Sequence, residues 1–133
     1  MKIVAVDYGP ARTGLAVSDP SATIARPLGV VERAGSEAGL AKLVELIRAE
    51  GAERVVVGLP LTLRGEHGEQ ARETETFVEA LRAAVGIPVE SFDERFTTRL
   101  ARTGARDRSE PDDARAAAHL LSSYLEWSSA ERE

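Results

Sequence analysis

The 133-residue chain contains no cysteine, few aromatic residues (three Phe, two Tyr and one Trp) and only two lysines, Lys2 and Lys42. The absence of cysteine excludes a disulfide scaffold, a thiolate zinc site and a thiol nucleophile. So few rings give no evident platform for base stacking. The opening segment MKIVAVDYG reaches an acid too soon for a signal-peptide core, and no apolar run approaches the ~18 residues of a membrane span. These absences predict a cytoplasmic protein that makes no contact with a membrane.

The composition is that of an ordinary globular protein, with 43% hydrophobic and 29% charged residues. Extensive disorder is therefore excluded, and the length fits one domain with a single core. We find no internal repeat and no linker. The prediction is a single domain over residues 1–127, followed by a polar tail at residues 128–133.

The charge is acidic overall, with a formal net value of -5, which argues mildly against nucleic-acid binding because Lys and Arg drive contact with phosphates. The distribution of charge modifies this argument. Residues 95–108, RFTTRLARTGARDR, contain five arginines and one acid. This basic stretch is either a solvated surface or a segment that contacts phosphates.

Hydrophobic periodicity predicts three strands in the first half of the chain and an alternation of strands and helices in the second. Ser36 is a predicted N-cap of the first helix, which Gly51 closes. Ser109, Pro111 and Asp112 are typical of the start of the last helix. The predicted strands are 3–7, 13–19, 26–33, 55–58 and 89–93, and the predicted helices are 37–50, 69–85, 95–103 and one that begins near 112.

This order, βββαβαβα plus a closing helix, predicts an α/β fold. Right-handed crossovers place the fourth strand beside the first. The result is a mixed five-stranded sheet with helices on both faces and the first strand at its centre.

Three acids are candidates for a shared site, since ligands of open α/β sheets collect at the carboxyl ends of the strands. Asp7 ends the first strand, Glu94 follows the fifth, and Asp113 lies in the first turn of the last helix. Carboxylates held together repel one another, and a divalent cation such as Mg²⁺ or Mn²⁺ removes that repulsion. The alternative is that each acid is independently a strand-end or capping residue.

The loops around these acids supply polar and flexible candidates. DYGPARTG (7–14) contains Gly9 and Arg12, and its glycines suit either close approach of a phosphate or a plain hairpin turn. Neither a P-loop nor a dinucleotide-binding fingerprint is present. Thr97 and Thr98 either donate to a phosphate or cap a short helix.

Four segments together resemble the YqgF/RuvX family, the pre-16S rRNA nucleases also called Holliday-junction-resolvase-like proteins. The resemblance runs in order over nearly the whole chain, and four consecutive motifs are far more specific than any one of them. The segments are DYGPARTGLAVSD (7–19), VVVGLPLTLRG (55–65), FDERFTT (92–98) and DARAAAHLLSSYL (113–125).

The resemblance implies a ribonuclease-H-like fold and a metal-dependent nuclease, with maturation of the 5′ end of pre-16S rRNA as the expected role. It assigns Asp7, Glu94 and Asp113 as the catalytic and metal-binding acids, with Mg²⁺ or Mn²⁺ as cofactor. Asp113 matches the family position better than Asp112 does. The expected substrate-binding residues are Gly9, Arg12, Arg95, Thr97, Thr98 and Arg99.

The sequence departs from the family before the last helix. Members usually carry a flexible, lysine-rich segment there, whereas this chain has the shorter TGARDRSEPDD, in which arginines and acids are mixed. The resemblance leaves open whether the nucleic acid is precursor rRNA or structured DNA, and the sequence leaves open whether the protein is a monomer or a homodimer.

Three functions compete at this stage. The first is the nuclease, with a Holliday-junction resolvase as its DNA-directed variant. The second is a nucleotide-phosphate enzyme of the actin-like ATPase and sugar kinase type, which needs two related domains where 133 residues supply one. The third is a non-catalytic nucleic-acid-binding module, against which the three retained acids argue.

Overall fold

The structure is a computed structural model that describes residues 1–61, 64–94 and 112–131, and the side chains up to residue 128. Its elements follow the predicted order closely. The strands are β1 (Ile3–Asp7), β2 (Arg12–Ser18), β3 (Ala25–Glu32), β4 (Arg54–Leu59) and β5 (Val89–Asp93), and the helices are α1 (Glu37–Ala49), α2 (Glu69–Val85) and α3 (Asp112–Glu131).

The five strands form one mixed sheet in the order β3-β2-β1-β4-β5, and the fourth strand lies beside the first, as predicted. β1 pairs with β2 in antiparallel orientation and with β4 in parallel orientation, and β5 extends the parallel half. β1 is therefore the central strand. Its last residue, Asp7, lies where the antiparallel half of the sheet, β3-β2, meets the parallel half, β4-β5. The carboxyl ends of β1, β4 and β5 all lie at this one edge.

The two faces of the sheet are covered by different helices. Val4 and Val6 of β1 face a core that also includes buried residues of α1 and α2. Ile3 and Ala5 face the opposite way, into a core built with α3. Because side chains alternate along a strand, the next residue on the α3 face of β1 is Asp7.

Local signals explain where the helices begin and end. The Ser36 side chain accepts a hydrogen bond from the Gly39 amide at 3.0 Å, which confirms the predicted N-cap of α1. Gly86 ends α2 in the left-handed conformation at φ 76°, where glycine is favoured. No helix among the described residues has both the length and the apolar character needed to cross a bilayer.

Two expectations differ from the structure or lie outside it. α3 continues to Glu131, into the segment after Trp127 that was predicted to be a polar tail. The residues that follow Trp127 include no Gly or Pro that would end a helix. The predicted short helix at 95–103 falls outside the described residues.

Candidate nuclease site

Asp7 lies between two glycines on the α3 face of the sheet. It pairs with Gly14 of β2. On its other side, the parallel register that pairs Val6 with Val57 brings Gly58 beside it one residue further along. The row Gly14, Asp7, Gly58 therefore crosses three adjacent strands, and only the central residue carries a side chain.

Asp113 is brought to this row by close packing of α3 on Gly14. The Asp113 carbonyl oxygen occupies the place that a Cβ atom on residue 14 would take, and the Ala114 amide nitrogen lies 2.9 Å from the same point. Helix α3 thus begins directly over the strand that pairs with Asp7. Its buried alanines, Ala114 and Ala117, permit this close approach.

Glu94 approaches the row from the opposite side. A Cβ on Gly58 would lie 2.7 Å from Glu94 Oε1 and 3.0 Å from its Cγ, so the Glu94 side chain occupies the space above this glycine. The same point is 3.1 Å from a methyl carbon of Leu120 in α3. The structure therefore brings all three predicted acids to one end of one face, and each of them is half-buried.

Arg12 is a cation that contacts one of these acids, Asp113. Its Nε lies 3.3 Å from Asp113 Oδ2, with the arginine side chain 66% exposed and the aspartate side chain 34% exposed. Arg12 and Gly14 are two positions apart on β2 and therefore share the α3 face. The sequence predicted Arg12 as a substrate-binding residue, and the structure adds its contact with an acid of the site.

Gly9 has a structural reason to be glycine. A Cβ at this position would lie 2.5 Å from the Arg12 carbonyl oxygen. The Thr13 hydroxyl group bridges to the Gly9 backbone across the same turn, at 3.4 Å. The turn interpretation therefore accounts for Gly9, and the packing of α3 accounts for Gly14. The other predicted substrate-binding residues, Arg95, Thr97, Thr98 and Arg99, lie outside the described residues.

The donor set at this edge suits a hard divalent cation, because carboxylate oxygens are the ligands that Mg²⁺ and Mn²⁺ prefer. The bare glycines also leave room for the Glu94 side chain and the start of α3 beside Asp7. Within residues 1–61, 64–94 and 112–131, no group of three His, Cys, Asp or Glu side chains is arranged to hold a metal ion. The three acids therefore suit a metal ion in their chemistry and in the placement of their backbone. In this structure the Asp113 carboxylate contacts Arg12 instead.

One contact beside the site was not predicted. Tyr8, which follows Asp7, stacks on Phe77 of α2 with ring centroids 4.2 Å apart and an interplanar angle of 19°. Phe77 follows the buried Thr74 by three residues and so lies on the same buried face of α2. The stack connects the residue after Asp7 to the helix on the far side of the sheet.

A polar network attaches the C-terminal half of α3 to the sheet. Tyr124 donates to Glu90 Oε1 at 2.9 Å and accepts from Arg54 Nη1 at 3.1 Å. Burial raises the pKa of the Tyr124 hydroxyl, and the hydrogen bond from Arg54 offsets part of that rise. The hydrogen bond to Tyr124 in turn raises the pKa of Arg54. The network holds α3 in one position along the sheet.

The mixed sheet, its central acid and the helix that crosses one face define a ribonuclease-H-like fold with an acidic site. Residues 1–127 match the family model described as "RuvX: Holliday junction resolvase". The chain belongs to this family.

Relatives and solved structures agree with this assignment. A protein from Chloroflexus aggregans called "Putative pre-16S rRNA nuclease" is 42% identical over 131 residues, which cover 93% of this chain and 92% of that protein. A protein of the same name from Chloroflexus aurantiacus is 40% identical over 132 residues, covering 93% and 86%. RuvC of Thermus thermophilus, solved with a Holliday junction substrate, superposes with a TM-score of 0.68 at 18% identity, over 98% of this chain and 96% of that one.

These comparisons confirm the predicted family and fold. They also support the predicted class of enzyme, a nuclease, since the family and its curated relatives are named for that activity.

Proposed function

We propose that this chain hydrolyses phosphodiester bonds in nucleic acid at a site formed by Asp7, Glu94 and Asp113. One observation carries the proposal. The start of α3 and the side chain of Glu94 fill the spaces over Gly14 and Gly58, the two glycines that flank Asp7. Three acids from distant parts of the chain therefore share one end of the α3 face.

Asp7, Glu94 and Asp113 are the residues that would hold Mg²⁺ or Mn²⁺. When bound, such ions stabilise charge on the attacking and leaving oxygens of a phosphodiester displacement. The carboxylates supply the oxygen ligands. Their positions are set by β1, by the end of β5 and by the first turn of α3. The buried alanine face of α3 excludes water from the underside of the site.

Arg12 is the described residue that we assign to substrate contact. Its guanidinium is mostly exposed beside Asp113, and a planar guanidinium binds phosphate oxygens through two hydrogen bonds. Arg95, Thr97, Thr98 and Arg99 are proposed as further phosphate contacts on the resemblance of their motif. Gly9 shapes the turn that carries Arg12.

The proposed substrate is precursor 16S rRNA, cut during maturation of its 5′ end. Support comes from the names of relatives that cover nearly the whole chain at about 40% identity. Four-way DNA junctions are the second candidate, favoured by the description of the family model. The cytoplasm is the proposed location, since both kinds of nucleic acid are found there.

A cleavage panel tests the proposal. The purified protein is incubated with Mg²⁺ or Mn²⁺ and with single-stranded RNA, precursor rRNA fragments, single-stranded DNA and four-way junctions. Asp7→Asn is expected to abolish cleavage while the circular dichroism spectrum stays unchanged, because Asp7 ends a strand whose pairing does not need the charge. Cleavage by this variant at the wild-type rate would refute the site.

Adjacent acids in α3 provide a matched pair for the same panel. Asp112 is exposed and contacts Arg115 within its own helix, whereas the backbone of Asp113 packs on Gly14 and its carboxylate contacts Arg12. Asp113→Asn should remove cleavage, and Asp112→Asn should retain it. Equal loss in both variants would mean that general charge at the start of α3 is needed, and not the Asp113 carboxylate. RNA binding without metal-dependent cleavage of any substrate would favour a non-catalytic module.

A further inference from the structure

We propose that Arg12 competes with the divalent ion for the Asp113 carboxylate, so that loading of the ion displaces the guanidinium from Asp113. The inference rests on the proposed function, because it takes Asp113 to be a metal ligand. It gives Arg12 a role in the ion-free protein, as the partner of Asp113. It also predicts that Arg12 lowers the affinity of the site for the metal ion.

The backbone keeps the two side chains within reach of each other. Asp113 cannot move away from β2, since its carbonyl group is seated on Gly14. Arg12 stands two residues before Gly14 on the same strand and the same face, and its Nε lies 3.3 Å from Asp113 Oδ2. The contact is therefore built into the docking of α3 on the sheet.

Charge explains why this contact competes with an ion. A guanidinium is a cation, so Arg12 presents a positive charge to Asp113. A divalent ion needs lone pairs of the same carboxylate, and it is repelled by a cation beside them. Binding of the ion therefore requires the Arg12–Asp113 contact to loosen.

The exposure of the two side chains sets the size of the effect. The Arg12 side chain is 66% exposed and can turn into solvent without breaking the core. Ion pairs between exposed groups are weak, so the competition lowers metal affinity without preventing metal binding. Once displaced, the guanidinium lies beside the ion site with its donors available to a substrate phosphate.

The test measures Mn²⁺ binding in the absence of nucleic acid. Metal-depleted protein is titrated with Mn²⁺, and free ion is followed by electron paramagnetic resonance. Arg12→Gln is expected to lower the Mn²⁺ dissociation constant about two- to fivefold, the range that an exposed ion pair spans. Arg12→Lys, which keeps a cation at the position, is expected to bind Mn²⁺ more weakly than Arg12→Gln.

Arg33→Gln is the matched control. Arg33 is exposed and lies at the same end of the sheet, where its amide donates to the Ala11 carbonyl group, so the variant removes the same charge from a neighbouring position. Its Mn²⁺ affinity should equal that of the wild type. An equal gain in Mn²⁺ affinity in Arg33→Gln would show that the effect follows from net charge. That result would overturn the inference.

Two further outcomes separate the inference from the proposed function. Suppose that the wild type cleaves in a metal-dependent manner and that Arg12→Gln binds Mn²⁺ no more tightly than the wild type. This result would overturn the inference and leave the proposed function standing. Wild-type protein that neither binds Mn²⁺ nor cleaves any substrate would overturn both. Asp113→Asn should weaken Mn²⁺ binding, and its failure to do so would remove the basis for competition at this carboxylate.

Discussion

The carbonyl oxygen of Asp113 lies where a Cβ atom of residue 14 would be, so helix α3 can begin against β2 only because residue 14 is glycine. Gly14 pairs with Asp7, and this single contact therefore brings two of the three proposed acids together. The obstacle to a larger residue is backbone, which cannot rotate away as a side chain can. Placement of Asp113 is thus a property of β2 as much as of α3.

Gly14→Ala is expected to destabilise the protein and to abolish cleavage. The added methyl group must push the first turn of α3 off the sheet, and overpacking of a fitted core costs about 1–3 kcal/mol. Urea denaturation gives the free energy of unfolding, and the cleavage assay gives activity. Gly29→Ala is the control, since nothing lies within 4 Å of a Cβ there. Wild-type stability in Gly14→Ala would contradict this account of the packing.

Gly58→Ala should reduce cleavage with much less loss of stability. Here the obstacle is the Glu94 side chain, with Oε1 at 2.7 Å from the new methyl carbon, and a flexible side chain can move aside. A catalytic group misplaced by ~1 Å can lower the rate by about a hundredfold. Comparison of cleavage rate with melting temperature separates the two effects. If the activity survived, Glu94 would not need its present position.

Most of the fold could be predicted because it depends on local patterns. The strand IVAVD, the helix after Gly68 and the strand VESFD occupy their predicted positions, since their apolar spacing and flanking glycines and prolines specify both type and extent. The extent of α3 beyond Trp127 was not predicted, because residues 128–131, SSAE, continue no apolar spacing that would mark a buried helix face.

The site was predicted only in outline. The positions of Asp7, Glu94 and Asp113 at strand and helix ends follow from topology. The contact between Arg12 and Asp113 and the network from Arg54 through Tyr124 to Glu90 do not, because they join residues from different elements of the finished fold. Local periodicity carries no information about such pairs.

Tyr124→Phe is expected to lower the free energy of unfolding by about 1–2 kcal/mol, because the buried hydroxyl group makes hydrogen bonds to both Arg54 and Glu90. The edge-on contact of its ring with Phe92 should persist. Cleavage should be unchanged, since the network lies at the other end of the α3 face from Asp7. A large loss of activity would indicate that the network also positions the acids.

The same network predicts a loss of stability in alkaline solution. Burial raises the pKa of Tyr124 above its ordinary value of 10.0, so the folded state holds the proton more tightly than the unfolded state. The contribution to stability is fully present below that value and is lost as the pH rises beyond it. The difference in unfolding free energy between wild type and Tyr124→Phe should therefore narrow above pH 10.0. A difference in unfolding free energy that stays constant above pH 10.0 would contradict the raised pKa of Tyr124.

The hydrogen bonds to Asp19 predict that stability is lost in acid. Its carboxylate accepts hydrogen bonds from the amides of Ile24 and Thr23 and contacts the Ser21 hydroxyl group, which hold its pKa far below the ordinary value of 3.8. Its stabilising effect is present above that value and is lost as the pH falls below it. Asp19→Ala should melt at a lower temperature at neutral pH, with a gap that closes in acid. Melting curves across this range provide the measurement, and a gap that widens in acid would contradict the sign.

The order of the elements in the chain bears on when the protein could first act. Asp7 arrives with β1, Glu94 follows β5, and Asp113 arrives with α3, behind all five strands. A polypeptide still growing on the ribosome would lack the last acid until the sheet beneath it had been synthesised. Cleavage at this site would then require that all five strands and the start of α3 have been synthesised, so shorter nascent chains would leave nucleic acid uncut.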